Sequence, residues 1–288
     1  MKRLRVFCLI LLVCAAISVG YCKVKQFHGV DKTGPLIRMD ETNLEISVKD
    51  EADILQKGVT ALDTKDGDVT NSIVVESVSD FLTDGRRIVT LAAFDSDGHV
   101  GKAERLIKYK DYEHPRYKLK AAMNFPTGSD AFLESVSVTD VLDGDLTNAV
   151  KFSQGTEIMT DVPGDYKAKL EVTNSAGDTA YLPITITIYD SSSFSQTPQI
   201  GLKSYIKYVP KGKKLDLSEF LDTVTLYGTE YEIVPGAGMT ADSIGKEKIM
   251  ISDKEVDYDK PGVYEAEYTM KSEEGKLGRT RLIVVVEE

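Results

Sequence analysis

The chain has 288 residues, of which 42% are hydrophobic and 28% charged, a composition that indicates folded domains and not a disordered chain. Its formal net charge is -11, and none of its 46 acidic residues lies in the first 25 positions, so the remainder is more acidic still. Because so negative a surface repels phosphate backbones, the composition argues against nucleic acid as a partner. The cysteines are Cys8, Cys14 and Cys22, so the sequence predicts domains without disulfides.

Residues 1–25 predict an export signal peptide or a membrane anchor. A basic head, which includes Lys2 and Arg3, precedes a low-polarity run from Val6 to Tyr21, and two lysines follow it. The run is shorter than the roughly 20 residues that span a hydrocarbon core, which favours a cleaved signal, whereas the closing lysines favour an uncleaved anchor. A lipoprotein acylated at Cys22 is a third alternative. All three predict an extracellular location, either secreted or anchored at the cell surface.

Three repeats follow, and each is marked by two glycines at a constant spacing. The segment between the glycines alternates apolar and polar residues, which is typical of a strand with one buried face. The second glycine ends a turn in which it supplies the positive φ that a hairpin requires. The glycine pairs are Gly85 and Gly98, Gly164 and Gly177, and Gly262 and Gly275, and each copy opens with a proline, at Pro35, Pro115 and Pro198.

Short strands and regular turns, without a long stretch of helical periodicity, predict an all-β chain of three tandem β-sandwich domains after the N-terminal export or anchor helix. The predicted domains cover residues 33–111, 112–190 and 196–288. The linkers between them are short, which predicts an extended rod. The segment after Asp190 is rich in serine and is predicted to be the more flexible linker.

The first two copies share the pattern D-x-x-D-G-D-x-T-N at residues 63–71 and 140–148. Together with the glycine hairpins, this pattern resembles the bacterial immunoglobulin-like repeat domains of Gram-positive surface proteins, of the pesticidal-crystal-protein type. It is also similar to hyalin-repeat and cadherin-like sandwiches. The resemblance covers residues 33–190, and in the third copy only the final hairpin. It implies an immunoglobulin-like fold and a role as a stalk, spacer or adhesive unit.

Two copies have a Pro-Gly-x-Tyr sequence that ends at Tyr166 and Tyr264. This sequence looks like a tyrosine corner, in which the hydroxyl bonds to nearby backbone. The first copy has Arg86 and Arg87 after its glycine and no tyrosine, so its corner must be held by other contacts.

The aspartates of the D-G-D motifs are candidate Ca²⁺ ligands, because carboxylates in a tight loop can converge and Ca²⁺ takes six to eight oxygens. The alternative is a structural turn, in which each aspartate caps a backbone N–H and the central glycine is left-handed. The loops lack the spacing and the bidentate glutamate of an EF-hand, which favours the turn. No other cofactor is predicted. The candidate metal ligands are Asp63, Asp66, Asp68, Asp140, Asp143 and Asp145.

The third copy contains an insert that is loop-like and partly aromatic, with Tyr227 and Tyr231 as candidate ligand-binding residues. The sequence shows no metal-ligand spacing of histidines, no nucleophile elbow and no phosphate loop, so we predict no enzyme. The leading hypothesis is a non-catalytic cell-surface or secreted structural or adhesive protein, in which two spacer domains present a distal binding domain to a protein or a cell-surface glycan.

The alternative hypothesis is an accessory or glycan-binding partner of a cell-wall or polysaccharide enzyme. A lysine-rich patch at the base of the third copy could contact an anionic wall polymer or be a solvated face. Its members are Lys203, Lys207, Lys211, Lys213 and Lys214.

Overall fold

The computed structural model describes residues 13–20 and 32–288. Residues 13–20 are helical and include Cys14, an exposed free thiol. No helix within these described ranges is both long and apolar enough to cross a membrane. The described residues do not include the basic head of the predicted export segment. They also do not include Cys8 and Cys22. The chain divides between Asp111 and Tyr112 into two compact units, called here the N-terminal unit and the C-terminal unit.

The N-terminal unit has two sheets around one core. Its strands are β1 (Leu36–Met39), β2 (Asn43–Ile46), β3 (Val59–Asp63), β4 (Gly67–Asp68), β5 (Val74–Val78), β6 (Arg86–Phe94) and β7 (Val100–Tyr109), with 3-10 helices at Ala52–Gln56 and Thr70–Ser72. One sheet has the order β1-β3-β4 and the other β2-β7-β6-β5. The chain changes sheets after β1, because β1 pairs antiparallel with β3 while β2 pairs parallel with β7. Alternate residues of the long hairpin, such as Leu91 and Ile107, fill the core.

The first sheet pair of the C-terminal unit repeats this topology. Its strands are β8 (Arg116–Leu119), β9 (Asn124–Pro126), β10 (Val136–Asp140), β11 (Gly144–Asp145), β12 (Lys151–Phe152), β13 (Gly164–Thr173) and β14 (Thr179–Tyr189), with a 3-10 helix at Thr147–Ala149. The sheet orders are β11-β10-β8 and β12-β13-β14-β9, and β9 again runs parallel to the last strand, β14.

The second sheet pair has the same hairpin and a more elaborate opposite sheet. Its strands are β15 (Gln199–Leu202), β16 (Ile206–Pro210), β17 (Leu221–Leu226), β18 (Thr229–Val234), β19 (Ser243–Gly245), β20 (Met250–Ser252), β21 (Gly262–Lys271) and β22 (Leu277–Glu287), with 3-10 helices at Phe194–Gln196, Leu217–Phe220 and Lys246–Lys248. The orders are β15-β17-β18-β19 and β16-β22-β21-β20. The predicted insert therefore adds strands β18 and β19 to a sheet and is not an irregular loop.

These sheets confirm the predicted all-β, immunoglobulin-like sandwich fold. The glycines at the hairpin turns also have the predicted conformation, with φ of 85° at Gly98, 76° at Gly177 and 81° at Gly275. How many domains fold independently within the C-terminal unit stays a prediction.

Both predicted tyrosine corners are confirmed. The hydroxyl of Tyr166 donates to the carbonyl of Val162 at 2.8 Å, and that of Tyr264 donates to the carbonyl of Lys260 at 2.9 Å. Each tyrosine therefore fixes the chain that enters its long hairpin.

The first copy uses two arginines where the others use a tyrosine. Arg86 donates to the carboxylate of Asp84 at 2.7 Å through Nε. Arg87 donates to the carbonyl of Ser79 at 2.6 Å, and its guanidinium lies 5.5 Å from the ring centroid of Phe81. Cationic donors to acceptors upstream in the chain thus replace the tyrosine hydroxyl.

The serine-rich linker is structured, contrary to the prediction of a flexible segment. The N–H of Ser193 donates to the carbonyl of Asp190 at 3.0 Å, and a 3-10 helix follows at Phe194–Gln196. The ring of Phe194 packs edge-on against Tyr189, with 5.9 Å between centroids. Side chains of the two sheet pairs of the C-terminal unit bond directly to each other, so more than a short linker joins them, and the extended rod stays a prediction.

Candidate functional site

The two D-G-D motifs fold into the same hydrogen-bonded turn. Oδ1 of Asp63 accepts the N–H groups of Lys65 and Asp66, both at 2.8 Å. Oδ1 of Asp140 accepts the two equivalent N–H groups at 2.8 and 2.9 Å. Both aspartates are buried, with 8% and 7% of their surface exposed. The first aspartate of each motif is therefore an integral part of its turn.

The second aspartate of each motif connects the turn to the neighbouring hairpin. Asp66 accepts the N–H of Ser96 at 2.7 Å and its hydroxyl at 2.9 Å. Asp143 accepts the same two groups from Ser175, both at 2.6 Å. The bonds from Ser96 lower the pKa of Asp66, so the carboxylate that accepts them is the stable form.

The third aspartate of each motif accepts a hydrogen bond from the first residue of the 3-10 helix that follows it. Oδ1 of Asp68 accepts the N–H of Thr70 at 2.9 Å, and Asp145 makes the same 2.9 Å bond with Thr147. Hydrogen bonds from the threonine hydroxyl and N–H lower the pKa of both carboxyl groups. All six candidate ligands thus bond to protein donors.

The two motifs differ at the second oxygen of the first aspartate. Oδ2 of Asp140 accepts from Asn174 at 3.2 Å, whereas Oδ2 of Asp63 is buried without a hydrogen-bond partner in the described part of the chain. No three His, Cys, Asp or Glu side chains of residues 13–20 and 32–288 form a group that could hold a metal ion. Binding of Ca²⁺ at the motifs stays a prediction.

Replacing Asp140 by alanine is expected to lower the free energy of unfolding by about 2 kcal/mol, because two backbone N–H groups of the turn lose a buried, charged acceptor. Thermal unfolding with millimolar Ca²⁺ and with EDTA should give the same loss in both. The Asp145→Ala variant, which removes an exposed acceptor of the same motif, should lose less. A loss confined to the Ca²⁺ sample would instead identify Asp140 as a metal ligand.

The two candidate ligand-binding tyrosines have different surroundings. Tyr227 is 49% exposed and has φ of 53°, and with Gly228 at 77° it forms the tight turn between β17 and β18. A hydrogen bond to Glu274 raises the pKa of Tyr227. Tyr231 packs partly buried against the core of the second sheet pair. Of these two tyrosines, Tyr227 is therefore the exposed one, and it lies at a loop tip.

A cluster of charged and hydroxyl side chains joins the two sheet pairs of the C-terminal unit, and we call it the junction. Asp165 on β13 accepts from Nη1 of Arg279 at 2.7 Å and from Nη2 of Arg281 at 2.8 Å. It also accepts the hydroxyl of Thr187 at 2.7 Å. Burial raises the pKa of Asp165, but the Thr187 bond and the two guanidinium groups outweigh it and lower the pKa overall.

Glu265 on β21 makes the reciprocal contact of the junction. Its two oxygens accept the N–H and the hydroxyl of Thr185, both at 2.6 Å, and its side chain is only 13% exposed. Nζ of Lys167 lies 3.3 Å from the same carboxylate. Each sheet pair therefore supplies a carboxylate to donors on the other.

Apolar and aromatic contacts continue the junction towards strands β8 and β16. Ile206 and Ile283 of the second sheet pair are buried in the core cluster of the first. The hydroxyl of Tyr208 accepts the N–H of Tyr117 at 2.9 Å and lies 3.4 Å from its carbonyl oxygen. This contact covers part of the free edge of β8, which is the last strand of its sheet.

A cleft of about 770 Å³ opens beside this contact, between β8 and residues 202–208, and we call it the basic cleft. Three tyrosines line it, Tyr117, Tyr205 and Tyr208, and none of the described acidic residues does. Its basic lining residues are Arg116, Lys118, Lys120, Lys203 and Lys207.

The five cations of the basic cleft differ in their partners. Arg116 pairs with Glu113 at 2.8 Å and with Glu287 at 3.0 Å, and it lies 4.6 Å from the ring centroid of Tyr208. The four lysines are exposed and make no ion pair with the described residues. The sequence analysis placed Lys203 and Lys207 in a lysine-rich patch, but it did not predict that the basic residues of β8 belong to the same surface. The alternation Arg-Tyr-Lys-Leu-Lys from residue 116 is the signal that marks one cationic face there.

Comparison with known proteins gives no family. No family model and no curated protein matches the sequence. A Clostridium perfringens ZmpB structure, containing the M60 catalytic domain with CBM51-1 and CBM51-2 domains, is 12% identical over 89% of this chain and 31% of that chain, with a TM-score of 0.23. A second ZmpB structure, of CBM51-2 in complex with GlcNAc and INT domains, is 18% identical over 88% of this chain and 42% of that chain, with a TM-score of 0.22.

A lipoprotein from Bacteroides thetaiotaomicron is 11% identical over 59% of this chain and 98% of that chain, with a TM-score of 0.23. The chain thus spans less than half of the two ZmpB structures. At these TM-scores, similarity assigns neither a fold nor a function, and the fold described above rests on the sheets themselves.

Proposed function

We propose that the protein is an exported, non-catalytic binding protein of the cell surface or the extracellular space, in which immunoglobulin-like sandwiches display a binding surface. The observation that carries this proposal is the junction. Asp165, Arg281 and Glu265 hold two sandwiches together through charged hydrogen bonds, in which Arg281 and Glu265 are largely buried and Asp165 is about one-third exposed. A junction of this kind keeps surfaces from both sandwiches in one fixed arrangement, as a composite binding site requires.

The export part of the proposal rests on the basic head and apolar run of residues 1–25. An adhesive role for the last sandwich is supported by Tyr227, an exposed aromatic residue held at a tight turn. In this proposal the second copy is not only a spacer, because it forms half of the displayed unit.

Calorimetry of the full chain tests the proposal. We expect two unfolding transitions, one for each compact unit, since the junction couples the two sandwiches of the C-terminal unit. Arg281→Met should split the second transition into two, because it removes a guanidinium that is only 10% exposed and bonded to Asp165 and Thr187. Lys271→Met, an exposed cation on the same hairpin, is the control and should leave two transitions. Three transitions in the unmodified chain would show that the sandwiches are independent and would overturn the proposal.

A second candidate function is that of an accessory or glycan-binding partner of a cell-wall or polysaccharide enzyme. The basic cleft favours it, since tyrosine rings beside cationic side chains suit sugars that carry acidic groups.

A further inference from the structure

We propose that the basic cleft binds a linear acidic glycan, a sugar polymer that carries carboxylate or phosphate groups. This inference rests on the proposed binding role of the C-terminal unit and names its ligand class and its surface.

The first argument is charge. The chain as a whole has a formal charge of -11, yet the cleft is lined by five cations and no acidic residue. Nearby acidic groups act on three of the lining residues. Glu113 and Glu287 pair with Arg116, and Lys120 helps to lower the pKa of Asp145. Burial, together with the charge of Asp222, raises the pKa of Tyr205. The four lysines of the cleft have exposed side chains, so their positive charges face the solvent. A concave surface of one sign focuses the field and attracts ions of the opposite sign.

The second argument is the aromatic wall. The hydroxyl of Tyr205 accepts the N–H of Leu202 at 3.2 Å, and that of Tyr208 accepts the N–H of Tyr117 at 2.9 Å. Both rings are half-buried and held by these bonds, so they lose little conformational entropy when a ligand packs on them. A rigid aromatic surface beside ammonium groups matches a sugar ring with an acidic substituent better than it matches a small inorganic anion.

The third argument is the origin of the lysines. Lys118 and Lys120 come from the first sheet pair, whereas Lys203 and Lys207 come from the second. A ligand that neutralises both sets must extend across the cleft, which favours a polymer over a single sugar. Because the rest of the surface is acidic, a nucleic acid is disfavoured, and single-stranded DNA serves as the competing outcome.

Binding is measured with the full chain on three probes of one backbone: neutral dextran, carboxymethyl dextran and phosphorylated dextran. We expect binding to one or both charged dextrans, none to neutral dextran, and an affinity that falls as salt rises. The charged probe that binds more tightly identifies the acidic group. No binding to either charged dextran, or tighter binding of a single-stranded oligonucleotide, would overturn the inference.

Charge-reversal variants locate the site. Lys118→Glu and Lys207→Glu, one from each sheet pair, should each weaken binding by about tenfold, since each places a like charge against the ligand. The double variant Lys211→Glu with Lys213→Glu changes at least as much charge at exposed positions outside the cleft, and it should weaken binding less than threefold.

Equal losses in the cleft and control variants would show diffuse attraction and would overturn the cleft assignment. Unchanged thermal midpoints verify that the variants fold. If the calorimetric test fails while Lys118→Glu and Lys207→Glu still weaken binding by about tenfold, the cleft stands and only the coupled unit is refuted.

Discussion

Replacing Arg105 by leucine is expected to destabilise the N-terminal unit by about 3 kcal/mol, because three backbone carbonyl groups would lose their donors in the interior. Nη1 of Arg105 donates to the carbonyls of Leu55 and Lys57 at 3.1 and 3.0 Å, and Nη2 donates to that of Glu41 at 2.6 Å. Only 1% of the residue is exposed.

The position makes this prediction informative. In the other two copies the equivalent residue of the last strand is Ile184 or Leu282, both buried, so leucine fits the location sterically. Any loss in Arg105→Leu therefore reports on the carbonyl groups and not on packing. Burial lowers the pKa of Arg105, and its Nε atom has no hydrogen-bond partner among the described residues, which shows the cost of keeping a cation there.

The measurement is urea unfolding at neutral pH, followed by the transition of the N-terminal unit. A loss of about 3 kcal/mol in a domain of this size corresponds to a fall in the thermal midpoint of roughly 12 to 24 °C. Lys108→Leu, which removes an exposed cation from the same strand, is the matched control and should change stability by less than about 0.5 kcal/mol. If Arg105→Leu is as stable as the original chain or more stable, the buried arginine does not contribute to the stability of the N-terminal unit.

Replacing Asp165 by asparagine is expected to cost about 2 kcal/mol at neutral pH in the C-terminal unit, a value below that of a fully buried pair because the side chain is about one-third exposed. The variant leaves Arg281 with its hydrogen bond to the Thr187 hydroxyl at 2.7 Å and with carboxylate contacts that are longer, to Glu265 at 3.8 Å and Glu267 at 3.7 Å. The junction would then contain an almost buried guanidinium whose positive charge is balanced less closely by carboxylates.

The pH dependence of this difference gives a second test. The pKa of Asp165 is lower in the folded protein than the ordinary value of 3.8, so folding favours its charged form. Its contribution is present above that ordinary value and is lost as the pH falls through the lower folded pKa. The stability difference between the original chain and Asp165→Asn should therefore be constant from pH 7 to about pH 5 and should shrink below about pH 4.

Unfolding curves at several pH values measure this difference, and effects of other carboxyl groups cancel because both proteins contain them. Glu273→Gln, a change at an exposed turn of β21 and β22, is the control and should show no such difference. A difference that stays constant down to pH 2 would show that the charge of Asp165 does not stabilise the junction.

The local features of the fold could be predicted because their partners are near in sequence. The carbonyl that accepts from Tyr166 lies four residues before it, and the N–H groups that bond to Asp63 lie two and three residues after it. Period-two alternation predicted the long hairpins for the same reason, since each strand pairs with its neighbour across one short turn.

Contacts between distant residues could not be predicted. The alternating pattern of β7 puts Arg105 in phase with Ala103 and Ile107 on the core-facing side, but it does not identify the carbonyl acceptors, which lie 48 to 64 positions earlier. The aspartate motifs were recognised as turns, but their bonds to Ser96 and Ser175 join segments 30 and 32 residues apart.

The sequence by itself thus determined the strand pattern, the turn glycines, the tyrosine corners and the acidic surface, all of which depend on residue type and short spacing. Only the tertiary structure decided that two sandwiches join through Asp165 and Glu265, and that Lys118 and Lys120 line the same cleft as Lys203 and Lys207. The physical reason is that a charged side chain on a strand is expected to face solvent unless another surface packs against it. Here that surface belongs to another sandwich, about 100 residues away along the chain.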